Sequence, residues 1–277
     1  MTDPLLSLLP TPQLWLRDSL LYIMELALCG LIFLAVERVR PIHTHQAFTA
    51  EKRMELWLAL VNRLLFYPAS YVVIVMLLTH SLGQWLPYQI FGEQILGFPL
   101  WAQAIIGVFI MDMITYVRHR FMHRFMWRTH AIHHSAVYIN WLTSARLHPV
   151  EIFVSLMFGI PVMHVIGFSG KGIEAAAMLA LVFNLFTHAN LNFEWPGFMR
   201  YILGSPNWHR WHHAKLEKEA FDKNFGAVFP FIDVAFGTFY HPPKRLPAEY
   251  GIYHRPNEMP VPQTLPGQLT YPYIKRR

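Results

Sequence analysis

Residues 117–135 read V-R-H-R-F-M-H-R-F-M-W-R-T-H-A-I-H-H-S and hold five histidines, His119, His123, His130, His133 and His134. The pattern H-x-x-H-H returns as H-R-W-H-H at His209, His212 and His213. Residues three and four apart share a helix face. His119 and His123 are therefore expected to point together, and so are the three imidazoles of each H-x-x-H-H. Imidazole nitrogens suit Zn, Cu, Fe or Ni. The eight histidines of these boxes are too many for one tetrahedral zinc and match two metals, each keeping a position open for water or oxygen. A lone helical histidine is ordinarily a surface or hydrogen-bonded residue. The neighbouring Arg118, Arg120, Arg124, Arg128 and Arg210 also fit a basic membrane-surface patch. Neither account explains why H-x-x-H-H occurs twice, the first time just behind an H-x-x-x-H.

Composition places these boxes in a membrane protein. Of 277 residues, 54% are hydrophobic and only 14% charged, and the mean hydropathy is +0.27, so several segments are expected in lipid. The net charge of +6 fits cytoplasmic loops beside anionic lipid. Nucleic acid is not an expected partner, because the basic residues flank apolar runs and form no long tract. The single cysteine, Cys29, excludes a disulfide framework and a thiolate metal site within one chain. Asp3 and two early prolines without a basic leader argue against a cleavable signal.

Apolar runs are read at Leu20–Val36, from beyond Arg63 to about Leu78, and at Trp101–Val117, which leads directly into the histidines. Two more follow at Ile152–Phe168 and Ile173–Phe186, separated by F-S-G-K-G. At 17 and 14 residues they sit near or below the spanning limit of about 17, which leaves open a transmembrane or a shallower re-entrant hairpin. Arg38, Arg40, Lys52 and Arg53 follow the first run, whereas residues 79–100 hold no lysine or arginine. That asymmetry puts the boxes in the cytoplasm, at the boundary where a lipid-dissolved substrate can meet a soluble electron donor. The chain from about Pro196 onward is read as cytoplasmic, ending in a proline-rich extended tail over 241–277. The expected fold is all-α: a single domain over 1–277 with about four to five membrane helices, a histidine-box core near 101–240, and a cytoplasmic cap holding a dinuclear metal site. The expected location is a bacterial inner membrane, or endoplasmic reticulum in a eukaryote.

H-R-F-M-H, H-A-I-H-H and H-R-W-H-H together resemble the three boxes of the fatty acid hydroxylase/sterol desaturase superfamily. The resemblance extends to D-x-x-x-Y-x-x-H-R-x-x-H from Asp112, to R-L-H-P-V-E at 146–151, to D-K-N-F-G at 222–226 and to F-I-D-V-A-F-G-T-F-Y at 231–240. It covers about Asp112 to Tyr240 in consistent order. It implies a non-haem di-iron centre (two Fe ions, with Zn as a replacement) that uses O2 to hydroxylate or desaturate a lipid, sterol-like or fatty-acyl. The implied ligands are His119, His123, His130, His133, His134, His209, His212 and His213, joined by His188 in F-T-H-A-N. Asn224 is an implied polar neighbour of the metals, while Phe225 stands where the family usually has tyrosine. No cytochrome b5 domain precedes the boxes, so a separate donor, cytochrome b5-like or ferredoxin-like, is expected.

Metal-bound histidines generally donate their second N–H to a carboxylate or carbonyl. Asp112, seven residues before His119 and on the same helical face, is the first candidate for such a partner, with Asp222 and Asp233 behind it. His148 precedes a proline and so avoids the helix interior; it is read as a cap for the following helix or a residue at the site entrance. A zinc-dependent membrane hydrolase using the same imidazoles is the rival reading. It is disfavoured because H-E-x-x-H is missing. A metal carrier would place its histidines inside the spans.

Overall fold

The computed structural model describes residues 12–44, 49–82, 89–252 and 260–273; the reading of Asp3 and the early prolines falls outside them. The described residues are helical, with no strand beyond an isolated bridge between Ala214 and Tyr250. In chain order the α-helices are α1 (Pro12–Val36), α2 (Ala50–Val61), α3 (Tyr67–Leu82), α4 (Gly92–Leu96), α5 (Leu100–Phe125) and α6 (Trp127–His134). They continue with α7 (Pro149–Ile166), α8 (Gly170–His188), α9 (Pro206–His209), α10 (Pro230–Ala235) and α11 (Leu265–Thr270). Five stretches are long and apolar enough to cross a membrane: Gln13–Val36, Ala50–Leu77, Leu100–Phe125, Pro149–Ile166 and Gly170–His188. The chain is an integral membrane protein by this measure.

The hairpin helices are longer than their apolar runs because polar caps extend them. The His148 ring accepts the Val150 N–H, with Pro149 as the first helical residue, a position where its missing N–H costs nothing. His148 is thus a helix cap. Gly167, at φ 105°, ends α7, and Ser169 caps α8 through Gly172 N. At 18 and 19 residues, both helices reach spanning length.

The second span departs from expectation more sharply. The helix begins at Ala50 rather than beyond Arg63 and passes through a π-turn at Asn62–Phe66. Arg63 is accommodated because its guanidinium lies 5.0 and 4.8 Å from the Tyr22 and Tyr67 rings and donates to the Asp18 carbonyl. The acidic residues in the first turns of α2 face protein. Glu55 is fully buried and, with Glu51, receives Arg146. Arg146, also fully buried, donates in addition to Ile132 O, Ser135 Oγ and Gln263 Oε1. One side chain therefore ties α2, the end of α6 and the segment before α11 together. The tail was expected to be extended throughout. It contains α11 because Thr264 caps that turn through Gly267 N and Pro266 sits inside its start.

α5 packs along α8 and against α7. At Gly107 an added Cβ would stand 2.7 Å from that of Ala176, so glycine is what lets these two helices approach so closely. Both end in histidines, and their contact aims those ends at one place.

Replacing Arg146 with Met leaves Glu55 buried without its counter-charge. We expect a loss of roughly 3–5 kcal/mol, read as a lowered thermal midpoint in detergent, with partial recovery when Glu55→Gln is added.

Candidate metal centre

Four residues on one stripe of α5 start the site. Asp112, Tyr116, His119 and His123 are all buried and lie at helical spacing on one face. Each meets the loop that follows the third box. Asp112 accepts the N–H groups of Ala227, Val228 and Phe229 at 2.7, 3.1 and 2.7 Å. Tyr116 Oη lies 3.0 Å from Thr238 Oγ1. His119 Nδ1 lies 2.9 Å from the Phe225 carbonyl, and His123 Nδ1 2.9 Å from Asp222 Oδ1. The stripe and the loop are joined at four successive levels.

Asp112 was expected to orient a histidine and does not. Seven residues are two helical turns, about 10 Å along the axis, which puts its carboxylate beyond the reach of His119. It holds the loop that carries the Phe225 carbonyl. Asp222, the weaker candidate, is the one beside a box histidine, His123. Asp233 is buried and accepts Phe225 N and Gly226 N. Asn224 is likewise turned away from the metal site: its amide donates to the Trp208 and Tyr240 carbonyls and accepts Tyr240 N. Its backbone has φ 57°, a conformation asparagine tolerates better than most residues. Phe225 presents its ring to His119, His123 and His212 at 5.5, 5.0 and 5.9 Å between centroids, giving the site an apolar wall.

The second box sits on α6, the last histidine of α8 is His188, and the third box follows Ser205, whose side chain caps α9. The nine histidines form two groups. His119, His123, His130, His134 and His212 offer ligand atoms all within 4.8 Å of one another, and so do His133, His188, His209 and His213. Neither H-x-x-H-H keeps its three rings together. The i and i+4 positions go to one group and the i+3 position to the other: His130 and His134 against His133, and His209 and His213 against His212. Adjacent helical residues diverge by about 100°, so each box serves as a hinge between the two groups.

Hydrogen bonds fix the ring tautomers. A carbonyl only accepts, so His119, His188 and His212 donate through Nδ1 to Phe225 O, Asn184 O and Lys223 O, at 2.9, 2.8 and 2.7 Å. His130 Nδ1 lies 3.0 Å from Glu151 Oε1, which also accepts from Arg118. With neutral rings, each of these histidines carries a bare lone pair on Nε2. Nε2 atoms of the boxes converge: His119 to His130 at 2.8 Å, and His188 to His209 and His133 at 3.1 and 3.3 Å. His123 and His134 meet likewise at 3.2 Å. His119 and His130 both donate the Nδ1 proton to an acceptor, so their bare Nε2 atoms repel at 2.8 Å, and a cation held by both removes the conflict. The buried His212 Nε2 and both nitrogens of His213 have no hydrogen-bond partner. This donor set fits two metal ions.

Burial also disfavours the charged form of five of these rings. His133, His134, His209, His212 and His213 are all held well below the ordinary 6.5, first by desolvation and then by neighbouring imidazoles. Arg210 lies among the boxes but is no surface cation. It is fully buried and donates to the Ala189 and Ile139 carbonyls. Glu151, within R-L-H-P-V-E, is the orienting carboxylate that helix-face reasoning did not single out. Its signal was an acidic residue in the first turn of a membrane helix, expensive there without a partner.

Residues 104–238 match the Fatty acid hydroxylase family model. The chain is 26% identical over 180 residues to ornithine lipid hydroxylase OlsE from Rhizobium tropici, an alignment covering 64% of this chain and 52% of that protein. It is 31% identical over 156 residues to alkylglycerol monooxygenase from Homo sapiens, covering 56% of this chain and 33% of that one. The chain therefore spans about half or less of the length of these curated relatives. No solved structure matches it.

Two outcomes follow from the neutral rings and their partners. Below the ordinary 6.5 the unfolded chain binds more protons than the folded one, so stability falls with falling pH, and protons also compete for the metal ligands. The thermal midpoint of metal-stripped protein should be flat above roughly pH 7 and drop below about 6.5; a midpoint that rises on acidification contradicts the neutral assignment. Glu151→Gln should weaken metal binding about 10- to 100-fold by chelator competition, with the helical circular dichroism unchanged.

Proposed function

The chain fits the fatty acid hydroxylase/sterol desaturase superfamily, and from that premise we propose that it is a membrane-bound di-iron oxygenase that hydroxylates a lipid. The observation that carries this reading is the pair of histidine groups with inward-facing Nε2 atoms. In it, His119, His123, His130, His134 and His212 hold one iron, and His133, His188, His209 and His213 hold the other. Two bound irons would supply the activation of O2 needed to oxidise an unreactive C–H bond, chemistry that belongs to the cofactor rather than to side chains.

The protein's own part is positional. The Phe225, Lys223 and Asn184 carbonyls and the Glu151 and Asp222 carboxylates hold the rings at Nδ1, which leaves Nε2 available and raises its basicity. The Phe225 ring, against His119, His123 and His212, and the buried Trp208 ring, against His209, keep bulk water from the centre. The balanced reaction consumes one O2, two electrons and two protons and yields one hydroxyl and one water. The electrons come from a separate donor, cytochrome b5-like or ferredoxin-like, reaching the histidine boxes from the cytoplasmic side. The relatives' names, ornithine lipid hydroxylase and alkylglycerol monooxygenase, favour hydroxylation over desaturation, and a lipid with an acyl or alkyl chain over a sterol.

The zinc hydrolase is the weaker reading. Among the described residues neither ligand group includes a carboxylate. Both nearby carboxylates, Glu151 and Asp222, lie against histidine Nδ1 atoms rather than standing free as a general base.

The test is anaerobic loading of the purified protein with Fe(II), followed by O2 uptake and mass analysis of added lipids under labelled dioxygen. We expect close to two irons per chain, reductant-dependent uptake, and one labelled oxygen atom in a hydroxylated lipid, with uptake and metal lost together in His133→Ala. Two tightly held zincs and no oxygen uptake after iron loading would overturn the proposal in favour of the hydrolase.

A further inference from the structure

The loop that closes the metal centre lies beside the middle of a membrane span. Phe109 is the tenth residue of α5, and its ring meets those of Phe229 and Phe231 at 6.0 and 5.9 Å between centroids. One level further on, Phe236 stacks on Tyr116 at 4.9 Å. Phe109 and Tyr116 are separated by about 10 Å along the helix axis. The segment 229–236, which contains α10, therefore runs alongside α5 over that interval, well inside the apolar stretch Leu100–Phe125.

Its outward face is apolar. Val234 and Phe236 are 48% and 51% exposed. The 3-10 turn Gly197–Tyr201 packs against α10 and adds Phe198, 73% exposed, with Tyr201 and Ile202; its one cation, the half-buried Arg200, donates to the His241 carbonyl. From Asn224 to Pro243 the only acidic or basic residue apart from His241 is Asp233, and Asp233 is fully buried. The same face continues onto the exposed Trp101, Ile105 and Phe109 of α5, which is lipid-facing surface.

The backbone is provided for in a way an aqueous loop does not need. Five successive N–H groups end on two carboxylates: Phe225 and Gly226 on Asp233, and Ala227, Val228 and Phe229 on Asp112. Irregular backbone at membrane depth persists only where its polar groups are satisfied by protein. Water would otherwise solvate such a loop without carboxylate acceptors.

We propose that residues 229–236, with Gly197–Ile202 packed on them, form a membrane-embedded wedge whose outer face is covered by lipid acyl chains. The sequence pattern had placed everything after Pro196 in water. The wedge stands apart from the identity of the metal or reaction, since it rests on depth along α5, on apolar exposure and on backbone satisfaction.

The test uses the full chain in phosphatidylcholine vesicles. Cys29→Ala removes the native thiol, and Val234→Cys or Phe198→Cys then carries a nitroxide. Ile105→Cys serves as the lipid reference and Glu219→Cys, in an exposed turn, as the aqueous reference. Power saturation by O2 and by a water-soluble nickel chelate is the readout. Labels at 234 and 198 should follow 105, with O2 collisions dominating. Labels that follow 219 would overturn the wedge. So would labels shielded from both reagents and broadened by a neighbouring label, which would mean that a second copy covers the face. The unaltered chain gives an independent check that no substitution can spoil. A diazirine phospholipid should crosslink to peptides holding 196–202 and 229–236, and their absence among labelled peptides that include α5 contradicts the proposal.

Discussion

In their neutral forms His119 and His130 both carry the ring proton on Nδ1, and yet their Nε2 atoms face each other at 2.8 Å. Like poles held that close need something positive between them. Much of the surrounding structure serves to keep them there. The Phe225 carbonyl and the Glu151 carboxylate hold the two rings, and Asp112 and Asp233 in turn hold the loop that carries Phe225. Arg118 shares the Glu151 oxygen. The centre is thus built from the outside inward, each layer limiting the freedom of the next.

The membrane architecture makes that rigidity affordable. α5 and α8 approach closely at Gly107 and Ala176 and bring their histidine-bearing ends to one place. The two H-x-x-H-H boxes then divide their rings between the groups, so each box links two sites. Buried arginines provide the remaining ties. Arg210 draws the carbonyls after the second box and after His188 onto the third box, while Arg146 joins α2 to the end of α6. Such charges cost much when exposed to lipid, and each is enclosed by carbonyls, carboxylates or hydroxyls.

The histidine groups were legible in the sequence because imidazoles three and four apart on helices are a local pattern, and because the family motifs fall in order around them. The division of each box was not, since it depends on the 100° step between His133 and His134 and on the one-turn helix that precedes His212. The five spans were legible as apolar runs. Their ends were not, because His148, Pro149 and Ser169 extend helices with residues that hydropathy excludes. Asp112 was visible as a buried face residue, but only the fold shows that a loop more than a hundred residues later fills the space beside it. Three of the five Nδ1 partners are backbone carbonyls, at Phe225, Lys223 and Asn184, and carbonyls leave no mark in a sequence. Glu151 and His130 meet across two helices and a loop, a contact that spacing alone cannot reveal.

The central claim is that two metals lie where the two sets of Nε2 atoms converge. Anomalous scattering collected at the iron edge from crystals of the iron-loaded protein tests it most directly. The account predicts two peaks, one amid His119, His123, His130, His134 and His212 and the other amid His133, His188, His209 and His213. A map without peaks at those positions, with His130 instead protonated and donating to His119, would contradict it.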